Sequence, residues 1–223
     1  MGNRLIITGC GYSGTHYVAK VLERAGLAVG HERAFQTQRA LPTARWDRDV
    51  DVSWIAAGYR LSGYGTAWTL VRHPLAVARS LRDRALFHRP NRYTRFVAEA
   101  LGRDPQASTH PELEYWLLWT ALSLHQAERA VRLEDLGRGP ELDALVREAS
   151  RVVGYRGSPD LAGARATVPQ NRWTGERRPY DHQGYKRLDQ VASLAADLGY
   201  VVEPHLAPDF QESDHADTKA TGR

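Results

Sequence analysis

Residues 5–16 read Leu5-Ile6-Ile7-Thr8-Gly9-Cys10-Gly11-Tyr12-Ser13-Gly14-Thr15-His16, and this stretch decides the fold. A short apolar run leads into three glycines and two hydroxyl residues before Thr15 is passed. From there Tyr17, Val18, Val21, Leu22 and Ala25 recur at three- and four-residue steps, the spacing of one helix face. The pattern predicts a strand, a tight loop and a helix N-terminus. Such a loop turns several backbone N–H groups toward one point, and the helix dipole adds partial positive charge there. A phosphate or a similar oxyanion is the ligand it fits.

The nucleotide-binding pattern G-x-x-x-x-G-K-[ST] is met only in part. Gly9 and Gly14 keep its spacing, but Thr15 stands at the lysine position. The loop thus keeps the cradle without the group that bridges β- and γ-phosphates, which points to a nucleotide with another phosphate arrangement. A second element agrees. Residues 66–71 (Thr-Ala-Trp-Thr-Leu-Val) form a β-prone run, followed by Arg72-His73-Pro74 and a helical pattern through Val77 and Leu81. Pro74 suits a first helical turn. Arg72 then sits at a strand end and Ser80 about two turns into the helix, where a guanidinium fork and a hydroxyl can grip a second phosphate.

Together the two elements resemble the PAPS-dependent sulfotransferases, PAPS being 3′-phosphoadenosine-5′-phosphosulfate. In that family a G-x-x-[KR]-[ST]-G-T-[TS] turn holds the 5′-phosphosulfate, and a later R-x-P-x-x-x-x-x-S segment holds the 3′-phosphate. Here the first reads Gly9 to His16 and the second Arg72 to Ser80. The likeness covers roughly the first 85 residues and continues weakly through Val131-Arg132-Leu133-Glu134-Asp135-Leu136. It implies a bacterial cytosolic-type enzyme with a three-layer α/β/α fold and a central parallel sheet, on a P-loop-like sulfotransferase core. It implies that Gly11, Tyr12, Ser13, Gly14, Thr15 and His16 bind the phosphosulfate, and Arg72 and Ser80 the 3′-phosphate. The family's late basic loop folds over the nucleotide, which makes Arg172 and Trp173 candidates for that role. Two departures stand out. Tyr12 replaces the lysine or arginine that contacts the bridging oxygen, and His16 replaces the second threonine or serine. His16, or Arg33, is the candidate replacement for the missing basic group.

Sulfuryl transfer to a hydroxyl requires a proton acceptor. After the first helix, residues 27–29 read as a short strand, so that His31 and Glu32 emerge at the ligand-binding end of an open α/β sheet. Tyrosylprotein and heparan sulfotransferases are similar here, with a glutamate base after the first helix. That resemblance makes Glu32 the first candidate and His31 the second. Asp51-Val52-Ser53-Trp54 is a candidate wall of the acceptor pocket.

Composition sets the frame. The chain has 223 residues and one cysteine, Cys10, which excludes an internal disulfide framework and fits a reducing compartment. Residues 1–207 are expected to form one domain, and 208–223, polar after Pro208, a disordered tail. No run of eighteen apolar residues suggests a membrane span. Met1 to Arg4 leads straight into the first strand, so neither a secretory leader nor a stem is expected, and a cytoplasmic location follows. Net charge is +4, carried by arginine, with lysine only at Lys20, Lys186 and Lys219. Such a surface suits a doubly anionic nucleotide. Without zinc-ligand spacing or a helix-turn-helix signature, nucleic acid is not the expected partner.

Downstream, helices are predicted over 93–101, 111–128, 140–153 and 185–198, with a strand over 129–133 and an irregular stretch over 154–184. Leu113, Trp116, Leu117, Thr120, Leu124 and Ala127 form the expected buried stripe of the long helix. The expected reaction moves a sulfuryl group from PAPS to a hydroxyl, with an amine second, leaving 3′-phosphoadenosine-5′-phosphate. The acceptor, whether a small molecule, sugar, lipid or peptide, is left open, as is the oligomeric state. Two alternatives stay beside it. A nucleotide kinase or NTPase calls for a lysine after Gly14 and an aspartate at a strand end for magnesium; Glu134 and Asp135 do follow a strand. A non-catalytic nucleotide-binding module is the other, and Tyr12 is the feature that keeps it in play.

Overall fold

Strand β1 (Leu5–Gly9) is wholly buried and pairs in parallel with two neighbours, β3 (Val50–Val52) and β4 (Thr66–Val71). Strand β2 (Val29–His31) adds to β3, and β5 (Arg129–Arg132) to β4. The sheet is therefore all-parallel, in the order β2-β3-β1-β4-β5. The computed structural model describes residues 4–35, 48–137, 139–167 and 180–202.

Strand alternation divides the core into two layers. Leu5, Ile7, Trp68 and Leu70 face one side, where α1 (Thr15–Arg24), α5 (Gly139–Val152) and α6 (Leu161–Arg165) cover them. Ile6, Ala67 and Val71 face the other, packed by α2 (Pro74–Asp83), α3 (Arg92–Leu101), α4 (Pro111–Gln126) and α7 (Leu188–Asp197). This is the expected three-layer α/β/α fold with a central parallel sheet. The helix leaving β1 covers one face and the helix leaving β4 the other, so a crevice opens between the carboxyl ends of these adjacent strands. In open α/β sheets that is where ligands bind.

Several elements fall where the sequence placed them: β1, β4, the start of α1 and the proline-led start of α2. Others shift. The second strand runs from Val29 to His31 rather than over 27–29. Gly26, at φ 96°, ends α1 by a paired cap, its N–H reaching Glu23 O and the Leu27 N–H reaching Leu22 O (3.1 Å). Leu27 is thus the apolar residue of that cap, not the first of a strand. The stretch over 154–184 contains the short helix α6, opened by Asp160, whose side chain accepts from the Gly163 N–H. α4 is buried nearly all round rather than along one stripe: Glu112, Glu114, Tyr115, Trp119 and Ser123 join the core, while Leu124 is only half-buried. Arg172, Trp173 and the tail over 208–223 lie outside the described residues. Among the described residues, no helix is long and apolar enough to cross a membrane.

Candidate functional site

A cleft of about 1180 Å³ opens at the carboxyl edge of the sheet. Its floor is the loop between β1 and α1, and two glycines show why the loop runs so close to its neighbours. Gly9 lies at φ 151°, and a Cβ there would stand 2.3 Å from the Leu70 carbonyl oxygen of β4. Gly14 has φ 94°, and its Cβ would meet Leu133 Cδ1 at 2.6 Å. Neither position admits a side chain without displacement or strain.

The loop's donors divide into two sets. The Gly11 N–H donates to the Tyr115 hydroxyl (2.9 Å), and the Ser13 N–H to the Cys10 carbonyl (3.0 Å). Among the described residues, the N–H groups of Gly14, Thr15, His16 and Tyr17 make no hydrogen bond, the first within the α1 ladder being Val18 to Gly14 (3.1 Å). These open donors at a helix start form the candidate anion cradle. Gly11 and Tyr12 line the cleft together with Gly14 to Tyr17, but the Gly11 N–H is already engaged by Tyr115 and braces the loop. Ser13 is placed differently again. It is fully buried, its Oγ has no hydrogen-bond partner among the described residues, and it sits beneath Gly9 instead of facing the cleft. Thr15 and His16 line the cleft as expected.

Arg72 and Ser80 open on the same space. The Arg72 guanidinium donates to the Tyr12 carbonyl (3.1 Å), tying the end of β4 to the loop. Ser80 Oγ donates to the Ala76 carbonyl one helical turn back (2.9 Å), so its proton is engaged and its oxygen keeps its capacity to accept. His73 caps α2: its Nδ1 accepts the Leu75 N–H (3.3 Å), so Nε2 carries the proton and donates to Val201 O (3.1 Å). Glu134 closes this wall, accepting from the His73 N–H (3.0 Å) and the Tyr200 hydroxyl (2.7 Å). Asp135 pairs with Arg132 at 3.6 Å. Glu134 is thus engaged with the backbone at the start of α2, and Asp135 with the Arg132 side chain. Among the described residues, no cluster of three or more His, Cys, Asp or Glu is arranged to hold a metal ion.

The proton-accepting candidates stand on the other side of the loop. β2 ends at His31, and Glu32 follows with φ 54°. Tyr12, at φ 67°, is the other non-glycine residue of the cleft in the left-handed region among those described; such a conformation costs a side-chain-bearing residue about 1–2 kcal/mol. Backbone strain of this kind gathers at functional sites. His31 Nε2 lies 3.4 Å from Thr15 Oγ1 and 3.8 Å from Glu32 Oε1, and the His16 ring meets its edge at a centroid distance of 5.1 Å. Burial lowers the His31 pKa to about 4, with the neighbouring His16 adding to the effect. Its imidazole is therefore neutral, with one nitrogen able to accept. Burial raises the Glu32 carboxyl above its ordinary value, Asp51 pushes the same way, and a hydrogen bond to Trp54 opposes them. Burial also raises the Tyr12 hydroxyl.

Trp54 forms part of the same wall, as expected, against Tyr93 at a ring-centroid distance of 4.5 Å. Arg33 is exposed and does not line the cleft. Among the described residues, Arg72, Arg79, Arg84 and Arg165 do. Arg84 is the one beside Tyr12, its guanidinium carbon 5.9 Å from the ring centroid. Tyr93, Tyr115, Trp119 and Arg165 serve this site without having been singled out for it in the sequence. No protein-family model matches the chain, and no curated protein is similar to it. The family likeness rests on the residues of the two motifs and the strand after α4.

Proposed function

We propose that the protein is a PAPS-dependent sulfotransferase that modifies a hydroxyl, or secondarily an amine, of an acceptor molecule. One observation carries the reading: the α1 cradle, the Arg72–Ser80 wall and the His31–Glu32 turn all open on a single cleft at the switch point of a parallel sheet. The residues fit the donor. Open amides at Gly14 to Tyr17 suit one anionic end, and the Arg72 fork with Ser80 suits the other. When bound, PAPS supplies a sulfuryl group on an activated anhydride. Glu32, or His31, receives the proton from the acceptor hydroxyl. The amides of Gly14, Thr15 and His16 meet negative charge with donors already in place, usually a large catalytic effect. Arg84, beside Tyr12, brings the positive charge that the family's lysine or arginine supplies. Cys10, held as a buried thiol whose pKa burial raises, supports a reducing, cytoplasmic setting within this proposal.

Calorimetry with adenosine 3′,5′-bisphosphate and with ADP plus magnesium tests the reading. Tighter binding of the bisphosphate is expected, and preference for ADP with magnesium refutes it in favour of a kinase or NTPase. The second reading, a binding module without turnover, has Tyr12 in its favour. It predicts tight bisphosphate binding and no transfer of labelled sulfate to any acceptor.

A further inference from the structure

The underside of the cleft is built by one helix. Tyr115, Trp116 and Trp119 of α4 are each fully buried, and each directs its polar atom at backbone that shapes the cleft. The Tyr115 hydroxyl accepts the Gly11 N–H at 2.9 Å. Trp119 Nε1–H donates to the Gly9 carbonyl at 3.1 Å and to the Trp54 carbonyl at 3.2 Å. Trp116 Nε1–H donates to the Arg72 carbonyl at 3.1 Å. Positions 115 and 119 share a helix face, one turn apart, and serve the opening loop. Position 116 is rotated by about 100° and serves the end of β4.

Filling space alone would need only hydrocarbon. A buried indole N–H or phenol must find a partner; here the two indoles reach carbonyls of the two grips and the acceptor wall, and the Tyr115 hydroxyl meets the Gly11 amide beside Cys10 and Tyr93. The fit is close at the loop, where a Cβ on Gly11 would lie 2.7 Å from the Tyr93 hydroxyl and 3.1 Å from that of Tyr115. The helix itself is held at its N-terminal end. Glu112 accepts from the Tyr180 hydroxyl (2.9 Å), and Glu114 from the Tyr185 hydroxyl (2.5 Å) and Arg187 (2.6 Å).

We propose that α4 sets the separation between the two anion grips, with Tyr115 and Trp119 as positioning residues for the cradle and Trp116 as the positioning residue for the Arg72 turn. The ligand's identity rests on the donor reading above; the bracing by α4 does not. Cradle and turn leave the adjacent, paired strands β1 and β4, with Gly9 beside Leu70, and the Arg72 guanidinium reaches the Tyr12 carbonyl on the open side of the cleft. The helix joins them from beneath, so a ligand charged at both ends meets a preset span.

The test compares adenosine 3′,5′-bisphosphate with adenosine 5′-monophosphate, which lacks the second anionic end. Trp116→Phe keeps most of the ring area and removes the N–H. It is expected to weaken the bisphosphate by about two- to tenfold, the range for one lost hydrogen bond, and to leave the monophosphate unchanged. Tyr115→Phe is expected to weaken both ligands by the same factor. A general loosening of the core would instead shift both ligands together in both variants, so an unchanged ratio in Trp116→Phe overturns the inference. A wild-type protein that binds the two nucleotides equally overturns the donor reading. Amide hydrogen exchange of the unaltered, ligand-free protein tests the bracing separately. Gly11 is expected to be protected while Thr15 and His16 exchange freely; Gly11 exchanging as fast as Thr15 overturns the role of α4, whatever the ligand.

Discussion

Asp51 occupies the middle of β3, with Ile6 of β1 on one side and Gly30 of β2 on the other, and it is 1% exposed. Its Oδ1 accepts the N–H groups of Arg33 (3.2 Å) and Ala34 (3.3 Å), while Oδ2 has no partner. Burial lifts its pKa from 3.8 to about 6, the two backbone donors and the Arg33 charge working against the rise. The carboxylate therefore holds the turn that carries Glu32 at a cost in stability. At about 1.4 kcal/mol per pKa unit, the gap from 3.8 to about 6 corresponds to about 3 kcal/mol. The sign follows from proton counting. Between pH 4 and 6 the native state keeps a proton that the unfolded chain has lost, so stability is complete below about pH 4 and falls as the pH rises to about 6. His31 acts in the opposite sense. Its pKa drops from 6.5 to about 4, the unfolded chain holds the extra proton, and stability rises over nearly the same window. Its side chain is 30% exposed, which reduces the effect to about 2 kcal/mol. The two contributions oppose each other in the wild-type protein. Urea unfolding from pH 4 to pH 8 separates them. Asp51→Asn keeps an acceptor for the turn and removes the charge, so the wild-type stability minus that of Asp51→Asn should fall by about 3 kcal/mol between pH 4 and 7. The corresponding difference for His31→Asn should rise. Stability curves for wild type and Asp51→Asn that run parallel across this window would refute the reasoning.

Arg72→Ala is expected to weaken adenosine 3′,5′-bisphosphate by about 1.5–3 kcal/mol, the scale for a hydrogen bond to a charged group; an unchanged dissociation constant in calorimetry counts against the assignment. Glu32→Gln should cut turnover and leave donor affinity nearly intact, and turnover that survives transfers the role of base to His31. Gly14→Ala forces a side chain to φ 94° and against Leu133. The left-handed backbone alone costs about 1–2 kcal/mol, visible as a lowered unfolding midpoint together with loss of phosphate affinity. Normal affinity in that variant would mean that the loop is not the cradle.

The parts of the fold legible in the sequence are those specified by local chemistry. Gly9 and Gly14 punctuate the first strand and helix, and Pro74 after Arg72 marks the start of α2, so β1, α1, β4 and α2 could be read within a few residues. β3 could not, because Val50-Asp51-Val52 reads as a polar alternation, and only burial between two parallel neighbours makes it a central strand. β2 was displaced by the apolar Leu27, which belongs to the cap of α1. In the site, Gly11, Tyr12, Gly14, Thr15, His16, Arg72 and Ser80 could be named from the two motifs, whereas Arg79, Arg84 and Arg165, which also open on the cleft, could not. What could not be read were partners more than a hundred positions away: Tyr115 beneath Gly11 and Trp119 beneath Gly9. Nothing local separates an aromatic residue that fills a core from one that also bonds to a distant loop. The choice of Arg33 failed for the same reason, since its distance in space from Tyr12 is set by the sheet and not by the sequence interval.

The placement of β1 bears on how the chain comes off the ribosome. Both of its neighbours lie downstream, the nearer at Val50 and the further at Thr66–Val71. An apolar strand made early thus remains single until more than forty further residues have followed it. At about 5–20 residues per second that is a delay of seconds, with an unpaired, aggregation-prone edge in the open. Parallel pairings of this kind also form slowly. The phosphate-type loop behind β1 takes shape only when β4 docks, so an anion that settles there favours the finished sheet over its precursors. Nascent chains supplied with such an anion should reach protease resistance sooner than chains made without it.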